Sequence, residues 1–156
     1  MAQDTHVRQS NGFSRGPLVD SIRPYQDQLR FSLGRMNGTT SWAYSLWRAP
    51  EGSDLSDDIP LSESYLQCAG SAEALTIELR QLDEDGVPHQ WVVGKPAEVP
   101  SGPPTEVIQW DDGKHRTTVH PHEVFTAAEA GDVFVAYFLT DAVPAQCTLR
   151  ALDLRH

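Results

Sequence analysis

The chain has 156 residues, 39% of them apolar and 22% charged, and its formal net charge is -10. That length allows about one domain with a buried core, and the composition is that of a folded protein rather than a disordered one. No apolar run approaches the ~20 residues of a membrane span, and the N-terminus lacks the pattern of a secretory signal, so we expect a cytoplasmic protein.

The first third of the chain contains weak signals of local structure. Residues 1–16 are polar and contain Gly, Ser and Asn, which predicts a flexible tail. Apolar side chains then recur at spacings of three and four over 17–33, which predicts a short helix. Pro17 suits its first turn, whereas Pro24 lacks an amide donor and should kink or break it. Trp42, Tyr44 and Leu46 alternate with Ala43, Ser45 and Trp47, which predicts a strand.

The middle of the chain is predicted to be an antiparallel meander. Residues 49–63 form an acidic loop with two prolines, and 64–69 are a candidate short strand. Two hairpins follow, the first from 75–80 and 91–93 around an acidic Gly-bearing turn, the second from 107–110 and 115–119.

The last third contains the strongest helix signal. Thr126 and Glu129 fit a capping box, in which each side chain accepts a hydrogen bond from a backbone donor at the helix start. An apolar stripe follows at Ala130, Val133, Phe134, Tyr137 and Phe138. Pro144 prevents the helix from continuing. Side chains that alternate in character over 147–152 predict a final strand. We therefore predict an α+β fold, an antiparallel sheet with a C-terminal helix on one face and a short N-terminal helix, as a single domain over 17–156.

No motif in the chain indicates catalysis. No serine lies in a Gly-x-Ser-x-Gly elbow, and no Gly-rich phosphate loop precedes a helix. Paired carboxylates lie at predicted turns, where the burial that would separate their pKa values is not expected. We therefore expect neither enzymatic activity nor a bound cofactor.

A metal site is the main alternative from another class of function. His120 and His122 can share one face of an extended segment, and His115 is nearby in sequence. Zinc needs three or four such ligands, and no further His or Cys cluster is close in sequence. Ordinary loop histidines before a helix are the simpler interpretation.

The charge of the chain is concentrated in its middle. Residues 49–112 carry fourteen acidic and two basic side chains, a net of -12. Such a protein should repel nucleic acid and anionic membranes and attract basic proteins by fast, salt-sensitive association. The simpler interpretation is that these carboxylates only keep the surface soluble.

Two predicted hairpin tips combine acidic and aromatic residues. An indole beside carboxylates is the composition expected of a patch that binds a basic groove, although core packing also explains each tryptophan. The candidate partner-binding residues are Asp83, Glu84, Asp85, Trp91, Glu106, Trp110, Asp111 and Asp112.

The C-terminal two thirds resembles a known family. The runs 124–130, 135–144 and 147–150 resemble the ending of an immunity-protein family that accompanies deaminase-type and other toxins of bacterial polymorphic and contact-dependent systems. The likeness covers residues 64–154, from the hairpin meander through the Ala- and aromatic-rich helix to the last strand.

The resemblance implies a function that composition alone does not reveal. It implies a cytoplasmic, non-enzymatic protein that binds a cognate toxin domain and occludes its active site. A secretion chaperone or adaptor for an effector is a further alternative, and it would bind a partly unfolded partner instead of a folded enzyme domain.

Overall fold

Seven antiparallel strands form the main sheet of the computed structural model, which describes residues 4–154. The elements in chain order are β1 (His6–Ser10), β2 (Ser14–Pro17), α1 (Tyr25–Gly34), β3 (Ala43–Arg48), β4 (Tyr65–Gly70), β5 (Leu75–Leu82), β6 (Pro88–Gly94), β7 (Glu106–Trp110), β8 (His115–Val119), a 3-10 helix (Pro121–Glu123), α2 (Ala127–Thr140) and β9 (Thr148–Ala151). The sheet order is β2-β1-β3-β4-β5-β6-β9, and β7 and β8 pair separately. The predicted α+β fold is confirmed.

Both helices pack on one face of the sheet, which we call the helix face. Successive side chains of a strand point to opposite faces, so every second residue of β3 to β6 enters this core. The fully buried members include Leu46, Leu66, Ile77 and Val93 from the sheet and Leu29, Leu33, Ala130 and Phe134 from the helices. Among residues 4–154, no helix is long and apolar enough to cross a bilayer.

The start of α2 is the capping box that the sequence predicts. The Thr126 side chain accepts a hydrogen bond from the Glu129 amide at 3.3 Å, and the Glu129 carboxylate accepts one from the Thr126 amide at 2.9 Å. These bonds satisfy donors that the first helical turn leaves without partners. The helix ends at Thr140, and Asp141 caps it with a left-handed φ of 59°.

The prediction of a flexible tail over 1–16 is wrong for the described part of that segment. Strand β1 pairs with both β2 and β3, and a turn at Asn11 and Gly12 joins β1 to β2. The Asn11 side chain accepts a hydrogen bond from the Trp42 amide at 2.8 Å. The segment is ordered because β1 pairs with β3. A prediction from the polar residues of one short segment does not detect a strand partner so distant in sequence.

The predicted helix over 17–33 is also corrected. Pro17 ends β2, and α1 begins at Tyr25, directly after Pro24. Pro24 therefore precedes the helix instead of kinking it, and its carbonyl accepts the hydrogen bond of the Gln28 amide at 2.9 Å. A proline at this position removes no hydrogen bond of the helix, because the first amides of a helix have no partner within it.

Two separate segments partly cover the opposite face of the sheet, which we call the second face. The β3–β4 connection packs on one side, where Trp47 lies fully buried with Val7 and Ala49. The β7–β8 hairpin packs on the other, where Ile108 and Val119 bury Val92. A strip of the second face lies between these two coverings.

Candidate functional site

The acidic β3–β4 connection and the acidic β5–β6 turn lie at the same end of the sheet. Strand β4 begins where β5 ends, because Tyr65 pairs with Arg80 in the antiparallel register. The Leu82 amide donates to the Ser64 hydroxyl at 3.4 Å, which joins the two segments directly. We call the carboxylates of both segments the acidic end: Glu51, Asp54, Asp57, Asp58, Glu63, Asp83, Glu84 and Asp85.

Most carboxylates of the acidic end have no cationic partner among residues 4–154. Three of its carboxylates contact a basic side chain: Asp58 to Arg15 at 3.4 Å, Glu63 to Arg80 at 2.9 Å and Asp83 to His89 at 2.9 Å. The other five, Glu51, Asp54, Asp57, Glu84 and Asp85, form no ion pair with any residue of 4–154. All eight residues are exposed, so their charge faces solvent or a partner.

The Asp83 carboxylate stabilises the β5–β6 turn to which it belongs. Its carboxylate accepts hydrogen bonds from the Asp85 and Val87 amides at 2.9 and 3.0 Å and contacts the His89 ring. The His89 contact and these amides hold the pKa of Asp83 below its usual value. Glu84 and Asp85 make no such bonds with described residues, so they are the free charges of this tip.

The second predicted acidic tip lies elsewhere. The Asp112 amide donates to the Gly38 carbonyl at 3.0 Å, and Asn37 bridges Ser71 just before β5 begins. Asp83 follows the other end of that eight-residue strand, so the two tips are about 25 Å apart. Lys114 and Arg116 also flank Asp111 and Asp112, which balances the charge there.

The predicted aromatic anchors lie on opposite faces of the sheet. Trp91 is half-buried against the helix-face core and stacks on His89 with ring centroids 5.8 Å apart. Trp110 is half-buried against the second-face cluster of the β7–β8 hairpin. Glu106 begins β7, where its exposed carboxylate accepts a hydrogen bond from the Thr105 hydroxyl at 2.9 Å. The eight predicted partner-binding residues therefore do not form one patch.

The three candidate metal ligands do not converge. His115 begins β8 and His120 follows its end, so they lie about 16 Å apart along an extended strand. His120 and His122 stack with ring centroids 5.9 Å apart. Across residues 4–154, no group of three or more His, Cys, Asp or Glu side chains is placed to hold a metal ion. The geometry contradicts the metal-site alternative that used these histidines.

The uncovered strip of the second face is a groove with a polar floor. Gln9, Ser45, Gln67 and Glu78 face one another across β1, β3, β4 and β5, because each is the direct register partner of the next. Glu78 accepts a hydrogen bond from the Gln90 amide group, and Gln9 accepts one from Arg15 at 2.9 Å. The groove has a volume of ≈ 330 Å³.

The walls of the groove are mainly apolar. Trp42 and Trp110 line one side, and the ring of His115 lies 6.4 and 6.1 Å from theirs. Leu61 of the β3–β4 connection lines the groove as well. Thr76 is 4% exposed, lines the same groove, and its hydroxyl has no hydrogen-bond partner within the described chain.

The sequence contains no local signal for this groove. Polar residues alternating with apolar ones indicate only that a strand has a polar side, which is the ordinary solvent face of an antiparallel sheet. The acidic β3–β4 connection was detectable from its composition, but its closeness to the β5–β6 turn depends on strand pairing.

Comparisons with known proteins add no assignment. No family profile, curated protein sequence or solved structure matches the chain.

Proposed function

We propose that this chain is an immunity protein that neutralises a basic toxin domain by binding it through the acidic end. The observation that carries the proposal is the meeting of the acidic β3–β4 connection with the β5–β6 turn at one end of the sheet. The likeness of residues 64–154 to an immunity-protein family adds support. The part of the chain concerned comprises β4 to β9 and α2.

Electrostatics explains why this surface suits a basic partner. Carboxylates without local cations create a negative potential that steers a positive surface toward them and raises the association rate. Toxins that act on nucleic acid often have basic clefts, and a negative surface that covers such a cleft would exclude the substrate. The proposed role is binding, with no chemical step on this chain.

The test is co-expression with the toxin domain encoded beside this protein, followed by cell survival and the association rate of the purified pair. The quadruple variant Glu51→Gln, Asp57→Asn, Glu84→Gln, Asp85→Asn removes four free charges and no hydrogen bond between described side chains. We expect association to slow by about tenfold or more at low salt, with a weaker salt dependence.

A matched control removes four carboxylates that lie outside the acidic end: Glu73→Gln, Glu98→Gln, Glu106→Gln and Asp112→Asn. Both variants change the net charge equally, so only the position of the charge differs. Slowing in the control set alone would refute the acidic end as the interface. Binding only to an unfolded partner would support the chaperone alternative, and no protection in any form would refute the immunity role.

A further inference from the structure

We propose that the groove on the second face binds a guanidinium group, namely an arginine side chain that a basic partner inserts between the β3–β4 connection and the β7–β8 hairpin. The inference deepens the proposed function, because the partner in that proposal is basic. It assigns a recognition site to Glu78, Thr76, Trp42 and Trp110, none of which is among the carboxylates of the acidic end.

The charge of the groove points to a cation. Glu78 is the only charged side chain among the described residues that line it, and it forms no ion pair with a residue of 4–154. Its one hydrogen bond to a described side chain comes from the neutral Gln90. A carboxylate in a concave site with a free acceptor position is stabilised by a charged donor more than by a neutral one.

The polar floor supplies further hydrogen-bond acceptors beside Glu78. Thr76 and Glu78 lie two residues apart on β5, so their side chains share the second face. The Thr76 hydroxyl is nine-tenths buried and has no hydrogen-bond partner among the described residues, so a ligand that bonds to it would offset the cost of its burial. Gln67 pairs with Glu78 across the strands, and its side chain makes no hydrogen bond to a described residue. A guanidinium carries five donors in a planar fork and can bond several such acceptors together.

The walls distinguish a guanidinium from an ammonium. Trp42 and Trp110 present indole rings, and arginine stacks on aromatic faces while it donates at its edges. Leu61 and Ala43 line the remaining surface and suit the aliphatic part of the side chain. The volume exceeds that of one side chain, so adjoining backbone of the partner fits as well.

The test uses small probes and needs no toxin. Nα-acetyl-arginine amide is titrated into the full chain while the indole N–H signals are followed by NMR, with the neutral isostere Nα-acetyl-citrulline amide as control. We expect saturable shifts of the Trp42 and Trp110 signals with the arginine probe and at least about tenfold weaker binding of citrulline. Equal binding of the two probes, or shifts with neither, would overturn the inference, as would stronger binding of a neutral methyl glycoside.

Two variants link the binding to the floor. Glu78→Gln keeps an acceptor for Gln90 but removes the charge, and we expect it to lose the preference for arginine over citrulline. Thr76→Val removes only a hydroxyl without a partner, so the protein should remain folded and bind the arginine probe about three- to tenfold more weakly. Glu106→Gln, outside the groove, should bind as the unaltered chain does. Unchanged probe binding in both floor variants would overturn the inference.

The outcomes for the groove and for the acidic end are separable. Failure of the probe to bind leaves the co-expression test of the immunity role intact. Probe binding together with absent cell protection would retain the guanidinium site and remove the toxin as its source.

Discussion

Arg150 on β9 donates two hydrogen bonds to the carboxylate of Glu123, both 2.9 Å long, from Nε and from a terminal guanidinium nitrogen. Glu123 is 1% exposed and also accepts the His120 amide at 2.8 Å. Arg150 is the register partner of Val92, so the pair links the edge strand β9 to the 3-10 helix that follows β8.

Removing the cation from this pair should destabilise the fold. Arg150→Met keeps the aliphatic stem but leaves a buried carboxylate without its partner, and we expect a loss of about 3 kcal/mol in the free energy of unfolding. The double variant Glu123→Gln, Arg150→Met should lose less, because no buried charge remains. Denaturant unfolding at neutral pH measures both, and an equal loss in the two variants would contradict the explanation.

The same carboxylate should make the protein sensitive to acid. Burial acts to raise the pKa of Glu123, but the hydrogen bonds from Arg150 and the His120 amide outweigh it and hold the pKa below 4.5. A depressed carboxyl pKa contributes stability above the unfolded value, and this is lost as pH falls through the folded value. Glu123→Gln should therefore flatten the stability profile below about pH 4.5, as measured by unfolding at a series of pH values.

His6 should contribute a separate loss of stability at milder acidity. Burial, with a smaller contribution from Arg48, lowers the pKa of His6 from 6.5 to about 4, while Asp141 opposes the shift. The unfolded chain then binds more protons between these values, so stability falls by roughly 3 kcal/mol from pH 6.5 to about 4.

His6→Phe is the variant that isolates this effect. The ring would keep its packing on Phe138, whose centroid lies 4.8 Å away. Unfolding free energies measured between pH 7 and pH 4 should decline less steeply than in the unaltered chain. An identical slope in the two proteins would contradict the assignment of this pH window to His6.

The capping box of α2 should contribute to the stability of the protein. Thr126→Ala removes the acceptor of the Glu129 amide, and we expect a cost of about 1 kcal/mol in thermal or denaturant unfolding. Glu129→Gln keeps an acceptor for the Thr126 amide and weakens only the contact with Lys95, 3.3 Å away, so its cost should be smaller. The reverse order would mean that the ion pair, not the cap, stabilises this helix start.

Substitutions in β1 and in the turn after it can show by their effect on stability whether this segment is an ordered strand or a flexible tail. Val7 is 2% exposed and packs with Trp47, so Val7→Ala should cost about 2 kcal/mol in denaturant unfolding. Phe13 in the β1–β2 turn is 76% exposed, and Phe13→Ser should change stability by less than about 0.5 kcal/mol. A flexible segment would make both substitutions neutral.

Some elements could be predicted because their causes lie within a few residues. The cap at Thr126 and the apolar stripe that follows it specify α2 in one short window. The hairpin from β5 to β6 is specified by alternation and by the turn that Asp83 and Gly86 form. The hairpin over 106–119 follows from the same kind of signal.

Other features could not be predicted from local patterns. β1 is a strand because it pairs with β3, more than thirty residues away. The start of α1 differs from the prediction because Pro17 and Pro24 both fit the first turn of a helix in principle, and pairing of β2 with β1 assigned Pro17 to the sheet. The positions of the acidic end and of the groove depend on the same strand register.

The amino-acid order specified the fold class, the capped helix and the excess of carboxylates, since these follow from propensity, periodicity and composition within short windows. Tertiary pairing established which carboxylates are neighbours, which two tips are separated, and that four polar side chains from four strands share one floor. The physical reason is that a local window specifies how a segment folds, whereas the distance between segments depends on which strand edges bond to each other.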